Sequence, residues 1–518
     1  MSGTSTLGVV RDHLSRFGLS PQVVEEGIGL SGGKGVRQLG IPVGKDDFIS
    51  AFIEKKIEKV ILLFQQVERM VEWENGSDST HFSAPVPRHS PDRPTSSRTE
   101  GRQVALHLLR YILTSFLPFL FRTCLPHQLL PACEKIQSCF EVAFLRIFSL
   151  PSLSPLQWLQ ASLPLKMGGL GFISPAVTVF NGFIASITRF FSHNIVKILP
   201  DFDTASFASS CPYFADLVSA AFQFRDKVYE SLSPRAKSAS SAVDVRQRHL
   251  AAWANKQRLE FLEQHLEEEK DKERLRSLQR LGATSVFSAI PSLPELTIAS
   301  IDVISSFLGT QFPFSPHPQA CLCDKVMSAD SRAEHFSLCP HRRAQATHDK
   351  VAQCLAALAR DAGHSTSPAS SLLHFAPDSN IVADLRIVSN TPAHKDTIVD
   401  VSIRNTIAPS SFDSHGKPKA VIAEAERAKT AKHGPHVSAM NCSFCPFILE
   451  SFGHLGPQAK TLFNSLVREI PVDSFFPANW SASSPSAYWS QRFAVCIWGG
   501  HAAETRELYR HSLNKHGF

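Results

Sequence analysis

Ala105, Leu108, Leu109, Ile112 and Phe116 recur three and four positions apart, which places them on one face of a helix. Similar spacing predicts helices over most of Gln103 to about Phe191, over 215–282, and over "DDFISAFIEKKIEKVILLFQQVERM", which has Asp46 and Asp47 near its start. The 215–282 stretch ends in "EFLEQHLEEEKDKERLRSLQRLG", a charge run that reads as one solvated helix laced with i,i+4 pairs. "VRQLGIPVG" has strand-and-turn character. The three glycines of "LPLKMGGLGF" (Leu163–Phe172) suit a tight turn where backbones approach closely.

Further on, the period changes to two. In "IVADLRIV", Ile381, Ala383, Leu385 and Ile387 alternate onto one face, leaving Asp384 on the other with Val382 and Arg386. In "TIVDVSI", Val399, Val401 and Ile403 take one face, and Ile398, Asp400 and Ser402 the other. Joined by turn-rich residues, the two runs predict an antiparallel hairpin with one aspartate on each strand.

A carboxylate half-buried among valines and isoleucines is costly unless something compensates it. A divalent cation shared by Asp384 and Asp400 would do so, and oxygen-only ligation with open positions favours magnesium or manganese. A one-sided sheet with both aspartates facing water is the competing reading. "KAVIAEAERAKTAKH" then predicts a helix with Lys429 and Lys432 three apart on nearly one face. Two strand aspartates followed by a lysine-bearing helix are the parts of a metal-dependent phosphodiesterase. The carboxylates hold the metal, the metal acidifies a water, and lysine steadies that water or the phosphorane charge. A solvated helix face accounts for the lysines equally well.

Upstream, "CLCDKVMSADSRAEHFSLC" gathers Cys321, Cys323, His335 and Cys339. Zinc needs four N or S ligands in a tetrahedron, and two local pairs joined by a short loop supply them. The single residue between Cys321 and Cys323 is tight for such a site, so His341 is a substitute ligand. A module this small has little core, so its metal would be structural. Cys442 and Cys445 form a lone C-x-x-C without partners, weak grounds for a second metal.

The totals set limits. A chain of 518 residues is too long for one core and suggests about three or four domains. A net charge of +6 is small at this length, so its distribution matters more than its sum. No secretory h-region opens the chain, and "YILTSFLPFLF" is eleven residues, too short to span a bilayer. The expected location is therefore nuclear or cytoplasmic, neither secreted nor in a membrane, where clustered cysteines mean metal more often than disulfide. The Ser- and Pro-rich stretch 76–101 predicts a disordered insertion.

In order, these pieces resemble the C-terminal part of a non-LTR retrotransposon polyprotein. That family joins a reverse transcriptase thumb, a helical linker, a CCHC zinc knuckle and a restriction-like PD-(D/E)xK endonuclease. "LGIPVG" resembles the segment after the polymerase's catalytic strands; "RQVALHLLR" and "LPLKMGGLGF" resemble thumb signatures. "AIPS" through "FLGTQFP" is similar to the end of the linker, and "AEHFSLC" with "HDKVAQCLAALARDAG" to the knuckle and first nuclease helix. "ADLRI", "DTIVDVSI", "KTAKH" and "CPFILESFGHLGP" carry the nuclease likeness.

The resemblance implies six segments: the end of the palm and start of the thumb (1–75), the insertion (76–101), the thumb (102–195), the linker (196–316), the knuckle (317–345) and the endonuclease (346–518). It implies a mostly α N-terminal region and a C-terminal α/β domain with a mixed sheet. Asp384 and Asp400 match the acidic motifs, with Asp378 competing for the first. Ser402 stands where a restriction enzyme has lysine, whose role passes to Lys429 or Lys432. His433 replaces an expected tyrosine, and Glu450 is a candidate support. The implied activity is nicking of target DNA for target-primed reverse transcription, with element RNA as second partner. The alternative is a catalytically inactive nucleic-acid-binding remnant.

The matching part begins after the polymerase's aspartate hairpin. Asp46 and Asp47 open a helix, and Asp216 falls in the linker. The expectation is a truncated protein without DNA synthesis of its own, and primer extension by the purified chain would overturn it.

Overall fold

The computed structural model describes residues 35–38, 41–44, 46–74, 97–115, 118–150, 152–198, 209, 212–232, 237, 245–298, 300–309, 320–326, 335, 339–342, 344–368, 382–390, 395–471 and 482–515. They are mostly helical, with a two-stranded hairpin and a four-stranded mixed sheet. The chain divides into two compact units, each drawn from separated stretches. One takes Met1–Val67, Leu109–Ala143 and Ile173–Gln257; the other takes Glu68–Leu108, Phe144–Phe172 and Arg258–Phe518. Of the stretch expected to be a disordered insertion, 76–96 lies outside the described residues, whereas 97–101 opens helix α2.

The first unit begins with strands β1 (Gly35–Gln38) and β2 (Ile41–Gly44), paired antiparallel, as the strand-and-turn reading of "VRQLGIPVG" expects. Helix α1 (Asp46–Glu74) follows and buries Ile53, Ile57, Val60, Phe64 and Val67 at helical spacing. Phe64 meets Phe140 edge-on at 5.8 Å. Helix α2 (Ser97–Ser115) precedes α3 (Pro118–Thr123) and α4 (Pro126–Ile147). The apolar stretch is longer than its eleven-residue centre: Gly101–Thr123 has a mean hydropathy of 1.6 and suffices to cross a membrane by length and composition. Its Ala105, Leu109, Ile112, Leu120 and Phe121 are buried in the protein, as in a core helix.

In the second unit, α5 (Pro155–Ala161) starts at Ser154, whose side chain and Gln157 form a reciprocal capping box. The glycine-rich turn follows. Gly168 and Gly171 have φ of 76° and 77°, a left-handed conformation that side chains resist. Gly169 is limited by space: a Cβ there would stand 2.0 Å from the Leu163 carbonyl oxygen. Gly169→Ala is therefore expected to destabilise the protein by about 3 kcal/mol or more, read as a fall in urea midpoint. An unchanged midpoint would refute the close approach.

Helices α6 (Pro175–Arg189), α7 (Ile195–Ile198), α8 (Pro212–Glu230) and α9 (Gln247–His265) belong mainly to the first unit. The charge run departs from expectation. It forms two helices, α9 ending at His265 and α10 (Glu269–Gln279) beginning after a break. Nor is α10 wholly solvated: Leu275 and Leu278 are buried, and Glu273 and Arg274 with them. Its pairs are i,i+3, such as Glu269–Lys272 and Glu273–Arg276. The physical reason is that two leucines need a core, and their burial outweighs solvation of one charged face.

After α11 (Ser300–Leu308) comes the C-terminal α/β layer. Helix α12 (Ala344–Asp361) leads into β3 (Ser365–Pro368), β4 (Leu385–Val388) and β5 (Thr397–Arg404). Helix α13 (Val421–Ala439), β6 (Ser443–Glu450), α14 (Pro457–Glu469) and α15 (Pro485–Lys515) complete it. The order is β3-β4-β5-β6, antiparallel twice and then parallel, a mixed sheet as expected. Val399, Val401, Phe447 and Leu449 bury one face with residues of α12, α14 and α15, including Leu355, Phe463 and Trp489. Ile398 packs on the other side with Val437 of α13.

Candidate functional site

The predicted alternation holds on β5: Val399 and Val401 enter the core, whereas Asp400 turns toward α13. It holds on β4 for Leu385 and Ile387, but Ala383 leaves the pattern to pack with Ile398 and Val437. The cause lies at Asp384, where the ladder breaks. Its amide donates to the Val399 carbonyl at 3.0 Å, and its Oδ2 accepts the Val401 amide at 2.6 Å. The carboxylate thus replaces the backbone acceptor that a continuing strand would offer, and it lies beside the Val399–Val401 segment centred on Asp400. Asp378 lies outside the described residues.

Asp400 is 5% exposed. Lys429 Nζ approaches its Oδ2 at 2.5 Å, a charge contact whose angles fall outside hydrogen bonding, so this buried oxygen is ion-paired without a hydrogen bond. His433 Nε2 lies 3.6 Å from the same atom, and its ring stacks on Phe444 at 5.3 Å. Burial lowers the His433 pKa against the pull of Asp400, which favours a neutral ring. Lys432 is exposed and joins no ion pair among the described residues; the helical turn that brings Lys429 over Asp400 carries Lys432 outward. Of the two lysines, only Lys429 reaches an aspartate.

A residue not anticipated from sequence completes the arrangement. His348, in the second turn of α12, places Nε2 3.3 Å from Asp384 Oδ2 and 3.2 Å from the Val401 carbonyl. Its Nδ1 stands 3.1 Å from Asp349. The bond to Asp384 raises the His348 pKa to about 9, against the lowering effect of burial. Burial pushes Asp384 up, but His348, the Val401 amide and Lys429 together hold it below the usual carboxylate range. The sequence held a clue: His348, Val351, Leu355 and Leu358 share the helical spacing of the buried stripe, so His348 was the polar exception on it.

Because folding raises its pKa, His348 contributes stability that is full below about 6.5 and lost as pH climbs through about 9. His348→Gln should cost about 1–2 kcal/mol at neutral pH, allowing for a partly solvated ring, and almost nothing at strongly alkaline pH. Urea unfolding across that range is the check. A pH-independent gap would exclude the ion pair.

Ser402 is half-buried on β5. Glu450 is fully buried at the end of β6 and ion-paired with Arg280; burial raises its pKa. It is not a surface acid, and it pairs with Arg280 rather than with either aspartate. Cys445 enters the inner core and Cys442 packs with Met440 on the other side of the sheet, so they do not form a metal pair.

The cysteine–histidine cluster is compact. Cys321 and Cys339 have Sγ atoms 3.5 Å apart, and Cys323 Sγ lies 3.3 Å from His335 Nε2. All four ligand atoms fall within 4.8 Å of one another, the one such group of three or more among the described residues. Tetrahedral zinc with ordinary bond lengths wants separations of about 3.6–3.8 Å, so three sulfurs and one nitrogen fit a metal such as zinc. The tight C-x-C is accommodated by a turn in which Asp324 adopts φ 63° and its amide donates to the Cys321 carbonyl at 2.8 Å. His341 is exposed outside the quartet. The turn is fixed to α15: Ser512 Oγ accepts the Leu322 amide at 2.9 Å, Lys515 pairs with Asp324 at 2.6 Å, and Leu508 and Tyr509 pack on Cys321 and Cys339. The acidic pair and its histidines do not converge to the same degree. No protein-family model and no curated protein matches this chain.

Proposed function

We propose that this chain is a divalent-metal-dependent DNA endonuclease that nicks target DNA, built as the C-terminal part of a retrotransposon protein that pairs the cut with element RNA. The observation that supports it is the placing of Asp384 beside the Val399–Val401 segment, with Lys429 against Asp400 at 2.5 Å. Asp384 and Asp400 are the residues that would hold magnesium or manganese. The buried Asp400 Oδ2, which has no hydrogen bond, and the oxygen-only carboxylate pair fit such an ion. A cation bound there supplies an acidified water and charge neutralisation at the phosphate.

The chain's own groups do the rest. Lys429, on the following helix, stabilises negative charge as it develops on the phosphoryl oxygens. His348 fixes the Asp384 carboxylate by holding a proton on Nε2 toward Oδ2. The Val401 amide fixes the same oxygen from the strand. His433, buried and stacked on Phe444, limits solvent behind Asp400.

A second reading has its own observation. Both carboxylates already carry a protein cation, Lys429 on Asp400 and His348 on Asp384, so the pair is compensated without metal. That suits an inactive nucleic-acid-binding remnant. Nicking of supercoiled plasmid with magnesium or manganese separates the two. Lys429→Ala is expected to slow nicking about 100-fold, whereas Lys432→Ala stays within about threefold of the parent protein. Equal losses would remove Lys429 from the site, and no cleavage by the parent protein would favour the remnant.

A further inference from the structure

The first unit contains a cavity of about 450 Å³ whose lining, among the described residues, carries four arginines and no aspartate or glutamate. Arg122 comes from the end of α3, Arg189 from the end of α6, and Arg246 and Arg248 from the start of α9, with His193 beside them. These elements are held together locally. Gly182 of α6 lies so near Phe121 of α3 that an added Cβ would stand 3.0 Å from the Phe121 carbonyl oxygen. Arg122 binds Gln247 Oε1 through Nε and Nη2 at 3.0 and 2.9 Å, which ties α3 to the first turn of α9.

Between Arg189 and α7 the helix opens into a five-residue π turn, Phe190–Asn194, an irregularity often kept at functional sites. It brings His193 and Asn194 to the cavity wall. Among the described residues, the side chains of Arg189, His193 and Arg246 have no ion-pair or hydrogen-bond partner. Like charges gathered without counter-charge repel one another and favour an anion that joins them. The start of α9 adds the positive end of its helix dipole.

The cavity is too large for a single phosphate, and its surroundings are not purely ionic. Phe190, next to Arg189 and in the same π turn as His193, is 39% exposed. Arginines that grip successive phosphates and an exposed ring that receives an unpaired base are the two parts of a single-strand binding surface. We infer that this pocket binds the phosphodiester backbone of a single-stranded nucleic acid, with the exposed Phe190 ring stacking on a base. The inference rests on the proposed function only in taking nucleic acid as the partner, since the pocket belongs to the first unit and the aspartates to the second.

The test is fluorescence anisotropy of the full chain, zinc retained and magnesium and manganese omitted, on labelled single-stranded RNA, single-stranded DNA and duplex DNA over a salt series. Arg189→Glu/Arg246→Glu should weaken single-strand binding at least ~10-fold and flatten the salt slope by about 1.4, the loss of two phosphate contacts. Phe190→Ala should weaken the single strands more than the duplex. Lys55→Glu reverses an exposed charge that does not line the pocket, and should change little. Thermal melting confirms that each variant folds.

The RNA and DNA arms tell which strand is preferred. The inference is overturned if the parent protein binds no single strand, if the folded double variant binds as well as the parent, or if Lys55→Glu loses as much. Arginine-dependent binding without plasmid nicking would sink the nuclease reading and leave the pocket standing. Nicking with arginine-independent binding would do the reverse.

Discussion

Asp400→Ala is expected to reduce plasmid nicking at least ~100-fold while leaving the protein folded. Asp400 is almost fully buried, yet its principal partner, Lys429, is about a quarter exposed and can extend its amine into water once the carboxylate is gone. His433 is already held toward its neutral form by burial, so it needs no counter-charge. The structural cost should therefore be about 1–3 kcal/mol, a fraction of the stability of a domain. Asp400→Asn sharpens the experiment because it keeps the shape and removes only the charge. Equal loss in both variants with native melting curves would locate the effect in the carboxylate's charge. If either variant nicks like the parent protein, Asp400 has no part in cleavage.

Loss of zinc should be the largest structural effect. Cys321→Ser removes a fully buried sulfur from the four-atom cluster and is expected to weaken zinc binding at least ~100-fold, with bound metal falling from about one ion per chain to nearly none. The consequence should spread along α15, because Leu508 and Tyr509 pack on Cys321 and Cys339 while Ser512 and Lys515 bond the turn. Hydrogen exchange should rise first in 505–515 and in 320–326. His341→Ala should keep the metal, since that side chain lies outside the quartet. Metal content and exchange measured on one preparation decide the matter. A chain that carries no zinc after refolding in its presence, or exchange unaltered by chelation, would refute a structural metal.

Much of the candidate site was legible beforehand because its signals are local. Alternation along "TIVDVSI" depends only on strand geometry, and it put Asp400 opposite the core side. The four zinc-type ligands lie within nineteen residues, so little but a turn is needed to gather them. The glycine turn was equally visible, since positive φ and backbone proximity leave few residues to choose from.

Other features were illegible because they depend on partners distant in sequence. Lys429 and Lys432 look alike along the helix, and only the packing of α13 on the sheet sends one to Asp400 and the other to water. The same packing extends α13 through Gly434 and Pro435, where local chemistry predicts an end. Val437 lies buried with Ile398 and Ala383, and that burial outweighs the proline's lost hydrogen bond. Glu450 reads as a candidate support for the aspartates until Arg280, far upstream, is seen against it.

Periodicity and ligand spacing thus sufficed for most of the helices, the hairpin, the cysteine–histidine quartet and the outward turn of Asp400, because each is written in residues close along the chain. Tertiary structure alone supplied His348 at Asp384, the selection of Lys429, the splitting of the charged helix and the arginine-lined cavity. Each of these brings together residues far apart in sequence, and a sequence pattern records what one segment prefers, not which other segment it will meet.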